Sequence, residues 1–346
     1  MKDARFEEAG KMTVVDSPKP TIQQDDDVII RVVRTCVCGS DLWSYRDTDN
    51  TQAGSENPGH EGLGVVEEVG GAITTVKPGD FVIMPFTHGC GQCRACRAGF
   101  DGVCMNHNDN FSFGNQAEYL RFQHAQWSLV KVPGKPSDYS EGMLKSLLTL
   151  ADVMSTGYHA ARVANVKEGD TVIVLGDGAV GLCAIIAAKM RGAKRIISTS
   201  RHPDREALAR EFGATENIAT RGEEGIKELL AATDGGADAV LECVGTEMSS
   251  DEALKVGRPG SIIGRVGLPH GSKIDPAQTF YQNKILAGGP ASVTSYDKPL
   301  LLDAVLNGEI NPGKVFTKTY TLDEIDQAYK DMDERRTIKS YIKVSD

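Results

Sequence analysis

Cys90, Cys93, Cys96 and Cys104 fall within fifteen residues, in the run GCGQCRACRAGFDGVC. Intervals of two, two and seven residues let four thiolates converge on one tetrahedral ion, whereas two unstrained disulfides could hardly form in so short a span. The expectation is a closed structural zinc lobe over about residues 88–106. A disulfide cluster is the other reading, disfavoured because the rest of the chain reads as intracellular, where cysteine clusters more often hold metal. Four protein ligands leave no open coordination position, so any chemistry must be sought elsewhere.

The 346 residues, 40% of them hydrophobic, suffice for two cored domains. The first residues, MKDARFEEAGKM, contain no apolar targeting core, and no stretch reaches the ~18 apolar residues of a membrane span. A cytoplasmic protein is expected. A net charge of −10 disfavours nucleic acid or an anionic membrane surface as partner.

Short β-branched runs such as DVIIRVVR (27–34) and GLGVVEEV (62–69), punctuated by glycine and proline, make the first ~150 residues read as a β-rich domain. From Glu141 the stretch EGMLKSLLTLADVMSTGYHAARVANV reads as apolar helical segments leading into a strand, TVIVLG. Strands and helices then alternate: strands at 172–175, 195–199, 239–242 and 261–266, helices at 180–190 and in DREALAREF. Such alternation signals a parallel sheet with crossover helices. After Gly288 the pattern changes to a helix KPLLLDAVLNG, a helix opening at TLDEIDQAYKDM and a final strand IKSYIKV. The expected division is residues 1–152, an inserted α/β unit at 153–290, and a return to the first domain at 291–346.

Gly176, Gly178 and Gly181 spell G-x-G-x-x-G between a strand and a helix. There the first glycine allows the tight turn, the second lets backbone approach a pyrophosphate, and the third admits close helix packing; Ala179 and Val180 complete the loop. Nineteen residues past Gly181, where an acid would select NAD through the ribose 2′-hydroxyl, stands Ser200, in STSRHPDR. Loss of that carboxylate, with Arg201, His202 and Arg205 nearby, favours a 2′-phosphate and therefore NADP(H) over NAD(H). The plain alternative is that these arginines are solvated surface residues.

Cys38 in CGSD, His60 in PGHEG and Asp152 in ADVMSTGYHA are each ordinary taken singly. With the four-cysteine lobe, TGYHA and GDGAVG, in this order, they make the chain resemble the zinc-dependent medium-chain dehydrogenases/reductases, the alcohol dehydrogenase superfamily, over essentially its whole length. The resemblance implies a GroES-like β-rich catalytic domain with an inserted Rossmann doubly wound parallel sheet, an α/β fold overall. It implies two zinc ions per chain: one structural, and one catalytic on Cys38, His60 and Asp152 with a fourth position for water or substrate. Asp152 stands where many relatives have cysteine and an NADP-dependent secondary-alcohol branch has aspartate.

By the same resemblance Glu61 is a displaceable ligand, Asp41 orients His60, and Ser40 shuttles the substrate proton. Trp43 replaces a histidine by which several relatives pass that proton to solvent, so the relay ends differently or uses solvent directly. Phe86 falls where relatives supply a pocket wall, while His88, His107 and His124 match no ligand position and read as loop or surface histidines. Val244, Gly245, Val266 and Gly267 fall where relatives' backbones meet the cofactor, and Lys339 where a basic residue approaches the pyrophosphate. Cys36, Cys183 and Cys243 read as packing thiols.

The expected activity is hydride transfer between an alcohol, or an aldehyde or ketone, and NADP(H), in a homo-oligomer, dimer or tetramer. An NAD-linked polyol or diol dehydrogenase on this fold is the alternative, followed by a non-catalytic nucleotide-binding relative, which would have no need of an open metal site. Substrate choice rests on loops at 48–57, 108–113 and 292–297, whose shape the sequence does not disclose.

Overall fold

The strand Val28–Cys36 is buried at every position but Arg31, which is why it reads as a continuous β-branched run with no in-out alternation. In the computed structural model, which describes residues 1–46, 58–107, 110–269, 271, 274, 276–291 and 297–346, it is the centre of a seven-stranded sheet. Gly62–Val69 pairs antiparallel along one edge. On the other edge Tyr119–Phe122 pairs with its start and Lys339–Lys343 with its end. Phe81–Met84 and Val130–Val132 extend the sheet on one side and Phe316–Thr321 on the other. Val28, Ile30, Val32, Val66, Val82, Met84, Leu120 and Phe122 make a core against it.

This register matters for function. Thr35 pairs with Gly62, and its hydroxyl donates to the Glu61 carbonyl at 2.7 Å, so residues just past the first strand lie beside those just before the second. Cys38 and His60 are delivered in this way. The helix Glu141–Thr149, whose first turn is capped by Ser140 Oγ accepting from Met143 N–H at 3.2 Å, ends just before Asp152.

A hairpin of Lys2–Glu8 with Lys11–Asp16 opens the chain and was not expected from sequence. Its buried apolar residues Ala4, Phe6 and Met12 are too few among charges to form a readable alternation, and they join a core with Tyr45, Tyr320 and Tyr329.

The chain divides into two compact units, Met1–Asp152 with Ser292–Asp346, and Val153–Ala291, so Ala291 belongs to the inserted unit, one residue beyond the expected boundary. The inserted unit carries six parallel strands: Thr171–Leu175, Arg195–Ser198, Glu216–Asn217, Ala237–Glu242, Gly257–Arg265 and Ile285–Gly288. Counted along the chain they lie in the order third, second, first, fourth, fifth, sixth, which is the doubly wound Rossmann order, with its switch point between the first and fourth. The third and sixth strands were missed in the sequence, being a two-residue polar pair and a short edge run. Among the described residues no helix is long and apolar enough to cross a membrane.

Candidate metal centres and nucleotide site

Cys90, Cys93, Cys96 and Cys104 gather around the short helix Arg94–Arg97 and the turn Asp101–Val103. Sulfur separations of 3.4 Å (Cys93–Cys96), 3.9 Å (Cys93–Cys104) and 4.0 Å (Cys90–Cys96) exceed a disulfide bond, and all four thiols are free. They bracket the ~3.8 Å edge of a zinc–thiolate tetrahedron. Backbone N–H groups of Gln92, Cys93, Cys96, Met105 and Asn106 point at the sulfurs. Those of Cys96 and Met105 hold the Cys93 thiol down to about 6. Against its burial, the Gln92 and Cys93 N–H groups lower Cys90 as well, whereas burial raises Cys96 and Cys104. Two thiols thus favour the thiolate unaided, the other two need a cation beside them, and the lobe is closed by its own four donors.

The second group is Cys38, His60, Glu61 and Asp152, all buried, with ligand atoms within 4.8 Å of one another. Asp152 Oδ2 stands 3.4 Å from Cys38 Sγ and 3.5 Å from His60 Nε2, close to the ~3.4–3.6 Å that tetrahedral zinc imposes between such donors. Asp41 fixes the arrangement: one carboxylate oxygen accepts from Cys38 N–H at 2.9 Å, and the other lies 3.2 Å from His60 Nδ1. That contact suits a proton on Nδ1 and turns Nε2 toward the cluster, where it becomes a ligand once a cation displaces its proton. Burial raises the Cys38 thiol and the Glu61 carboxyl against the pull of Lys339. Burial depresses His60, yet Asp41 and Cys38 hold it well above its ordinary value. A divalent cation is the group that neutralises such a donor set.

Glu61 sits beside this set, Oε1 lying 4.0 Å from His60 Nε2. Its Oε1 accepts from Lys339 Nζ at 2.7 Å, and its Oε2 is buried with no hydrogen-bond partner. Lys339, which the resemblance puts near a pyrophosphate, has a buried ammonium that also donates to the Val37 carbonyl at 3.1 Å, so in this structure it serves Glu61. A lysine at the start of a strand gives no sign in the sequence of such an internal acid.

Ser40 and Trp43 are half-buried, in the turn that starts the helix Asp41–Arg46. The Phe86 ring centroid lies 6.1 Å from that of His60 and 6.3 Å from that of Phe111, and Phe113 lies 6.4 Å from His60, so the metal group has an aromatic flank. Positions 48–57, 108–109 and 292–296 of the loops named above lie outside the described residues. His88, His107 and His124 lie in loops, as expected, and form one cluster in which His88 is buried. His107 and His124 stack at 3.6 Å, His88 lies 5.1 Å from His124, and Asp26 holds His124 Nδ1 at 2.8 Å.

In the inserted unit the three glycines differ in what they need. Gly176 has φ +115°, and a Cβ on Gly181 would lie 2.0 Å from the Gly176 carbonyl, so turn and packing both require them. A Cβ on Gly178 would meet no atom within 4 Å. Open space at the N-terminus of the helix Ala179–Met190 is what a pyrophosphate cradle requires. Val244 and Gly245 donate their N–H groups to Glu242 Oε1 at 2.9 and 2.8 Å, and those of Val266 and Gly267 reach the Glu242 carbonyl at 2.9 and 3.1 Å. The ends of neighbouring strands are thereby tied together. Ser200 is buried, Arg201 exposed, and His202 caps the helix Pro203–Phe212 that contains Arg205. Cys36 and Cys183 are buried and Cys243 half-buried.

Sequence comparison agrees with this architecture. The profile described as Alcohol dehydrogenase GroES-like domain matches residues 24–134, and that described as Zinc-binding dehydrogenase matches residues 179–304. The chain is 33% identical to the uncharacterized zinc-type alcohol dehydrogenase-like protein AdhB of Bacillus subtilis, over 97% of each protein. It superposes on the alcohol dehydrogenase TADH from Thermus sp. ATN1 with a TM-score of 0.87 at 30% identity, covering 99% of this chain and 100% of that one. For the zinc-dependent alcohol dehydrogenase 2 from Streptococcus pneumonia the TM-score is 0.88 at 30% identity, covering 99% and 98%. The GroES-like domain, the Rossmann sheet and these likenesses define the class, an oxidoreductase fold of the alcohol dehydrogenase type. The chain belongs to the zinc-dependent medium-chain dehydrogenases/reductases.

Proposed function

We propose that this protein is an alcohol dehydrogenase or carbonyl reductase that interconverts an alcohol and its aldehyde or ketone with NADP(H), using one catalytic and one structural zinc ion per chain. The observation that carries the reading is the buried Cys38, His60 and Asp152 set, in which Asp152 lies at tetrahedral-zinc spacing from both of the other donors; three such ligands would leave the fourth position to water or substrate. Zinc there supplies Lewis acidity toward the substrate oxygen, and the nicotinamide supplies the hydride acceptor or donor.

The chain's own residues do the remainder. Asp41 keeps the His60 tautomer and ring direction fixed through its contact with Nδ1. Ser40 takes the hydroxyl proton as the alcohol is oxidised and returns it in reduction. Phe86 gives the site an apolar wall, suiting a substrate with a hydrocarbon portion next to its hydroxyl. In the Rossmann unit the Gly178 opening takes the pyrophosphate. Ser200 and the exposed Arg201 favour a 2′-phosphate, which supports NADP(H) over NAD(H).

Zinc-replete protein is expected to reduce NADP+ in the presence of an alcohol from a panel of primary, secondary, polyol and aromatic substrates. It should lose this activity to a chelator and regain it with zinc. Failure of every alcohol with both cofactors would overturn the enzymatic reading in favour of a nucleotide-binding protein.

A further inference from the structure

Position 200 lacks the acid that selects NAD, yet a carboxylate reaches it from another segment. Asp177, the middle residue of Gly176–Gly178, accepts from Ser200 Oγ at 2.8 Å through Oδ2. Its Oδ1 lies 3.3 Å from Arg205 Nη1, which also donates to the Asp177 carbonyl at 3.2 Å. The pair is largely sheltered, with side-chain exposures of 19% for Asp177 and 11% for Arg205. The Ser200 hydroxyl is therefore donating to a carboxylate, its backbone N–H donates to Asn217 at 2.9 Å, and Arg205 is held by an acid. Of the groups that could serve a 2′-phosphate, Arg201 alone is exposed and not engaged by an acid among the described residues.

We infer that Asp177 is a cofactor-selecting residue. Its carboxylate stands in for the missing acid at position 200, accepting from the adenosine ribose 2′-hydroxyl of NAD(H). The same charge opposes a 2′-phosphate and competes with it for the Ser200 hydroxyl and Arg205. The protein thus uses NAD(H) as well as NADP(H), and the contest between Asp177 and Arg201 sets the ratio. This rests on the reading that the Rossmann unit binds a nicotinamide dinucleotide.

The geometry gives the proposal a direction. A carboxylate one hydrogen bond from Ser200 Oγ is close enough to interact directly with a group bound there. Removing its charge while keeping its shape frees the hydroxyl proton and Arg205 for the phosphate. The change in preference should fall in the range of a charge-assisted hydrogen bond, about ten- to a hundredfold. A purely structural strut would act differently, weakening both cofactors together by loosening the glycine loop.

Titration of the zinc-loaded protein with NADH and with NADPH, followed by the fluorescence of the reduced nicotinamide, tests this. The parent should bind both cofactors, with NADPH favoured by no more than about tenfold. Asp177→Asn should tighten NADPH and weaken NADH, changing their ratio by about tenfold or more. Asp177→Ser, which removes the charge with a different shape, should move the ratio in the same direction. Arg201→Ala should weaken NADPH alone. Equal loss of both cofactors in the two Asp177 variants, or an unchanged ratio, would overturn the role of Asp177 while leaving the dinucleotide site intact. A parent that binds neither NADH nor NADPH would overturn the dinucleotide reading and this proposal with it.

Discussion

The ammonium of Lys339 lies 2.7 Å from Oε1 of Glu61, and both side chains are only 1% exposed. A buried ion pair adds little net stability over an apolar pair, but removing one partner leaves the other charged and unpaired in a place that water does not reach. Here the stranded group would be a carboxylate at the edge of the candidate metal set. Lys339→Met is therefore expected to destabilise the catalytic domain by about 3–5 kcal/mol, and the double variant Lys339→Met with Glu61→Gln to recover part of that loss. Denaturant unfolding of the three variants measures it; a single variant as stable as the parent would show that Glu61 is neutral in the folded protein.

The two metal groups should respond differently to mutation. Four thiols converge around a short helix and turn, so Cys93→Ser or Cys104→Ser should chiefly reduce stability and the zinc content by one ion per chain. Cys38→Ser or His60→Ala should abolish turnover and leave a folded protein, because their segments are fixed by sheet pairing through Thr35 and Gly62. Metal analysis is the check. One zinc per chain in fully active protein would contradict the two-site assignment.

Much of this site was legible because its signals are local. The spacing of Cys90, Cys93, Cys96 and Cys104, and the glycines between a strand and a helix, imply their geometry without reference to distant chain. Long-range side-chain contacts left no such trace. Asp177 and Ser200 are 23 residues apart, and Lys339 and Glu61 are 278 apart. His88, His107 and His124 meet only because three separate loops converge. Short elements were missed for a related reason: Glu216–Asn217 carries no apolar pattern and is a strand only because Arg195–Ser198 offers it an edge.

Ser40 tests the proton route. It follows Cys38 by two residues, in the turn closed by Asp41 N–H on the Cys38 carbonyl at 3.2 Å, and Trp43 removes the histidine that relatives use farther along. Ser40→Ala should lower kcat on the order of 10²-fold, with cofactor affinity nearly unchanged, as for loss of general acid–base help. Steady-state rates across pH, together with cofactor titration, separate the two effects. A variant with the parental rate would show that the proton leaves directly to solvent.

His159 supplies a pH signature independent of catalysis. It is buried in the helix Val153–Val163, and burial, reinforced by the Arg162 guanidinium 3.1 Å from its Nδ1, depresses it to about 4 from an ordinary value of 6.5. The unfolded chain therefore binds a proton at pH values where the folded chain does not, so stability from this group is complete above about pH 6.5 and declines as pH falls toward 4. At full extent the loss is on the order of 3 kcal/mol. Below both values the dependence should flatten. Thermal unfolding midpoints measured from pH 7.5 down to 4.5 should fall more steeply for the parent than for His159→Asn, which has no proton to gain. Parallel curves for the two proteins would mean that the imidazole is already protonated in the fold, or exposed, and would remove this contribution from the acid sensitivity of the Rossmann unit.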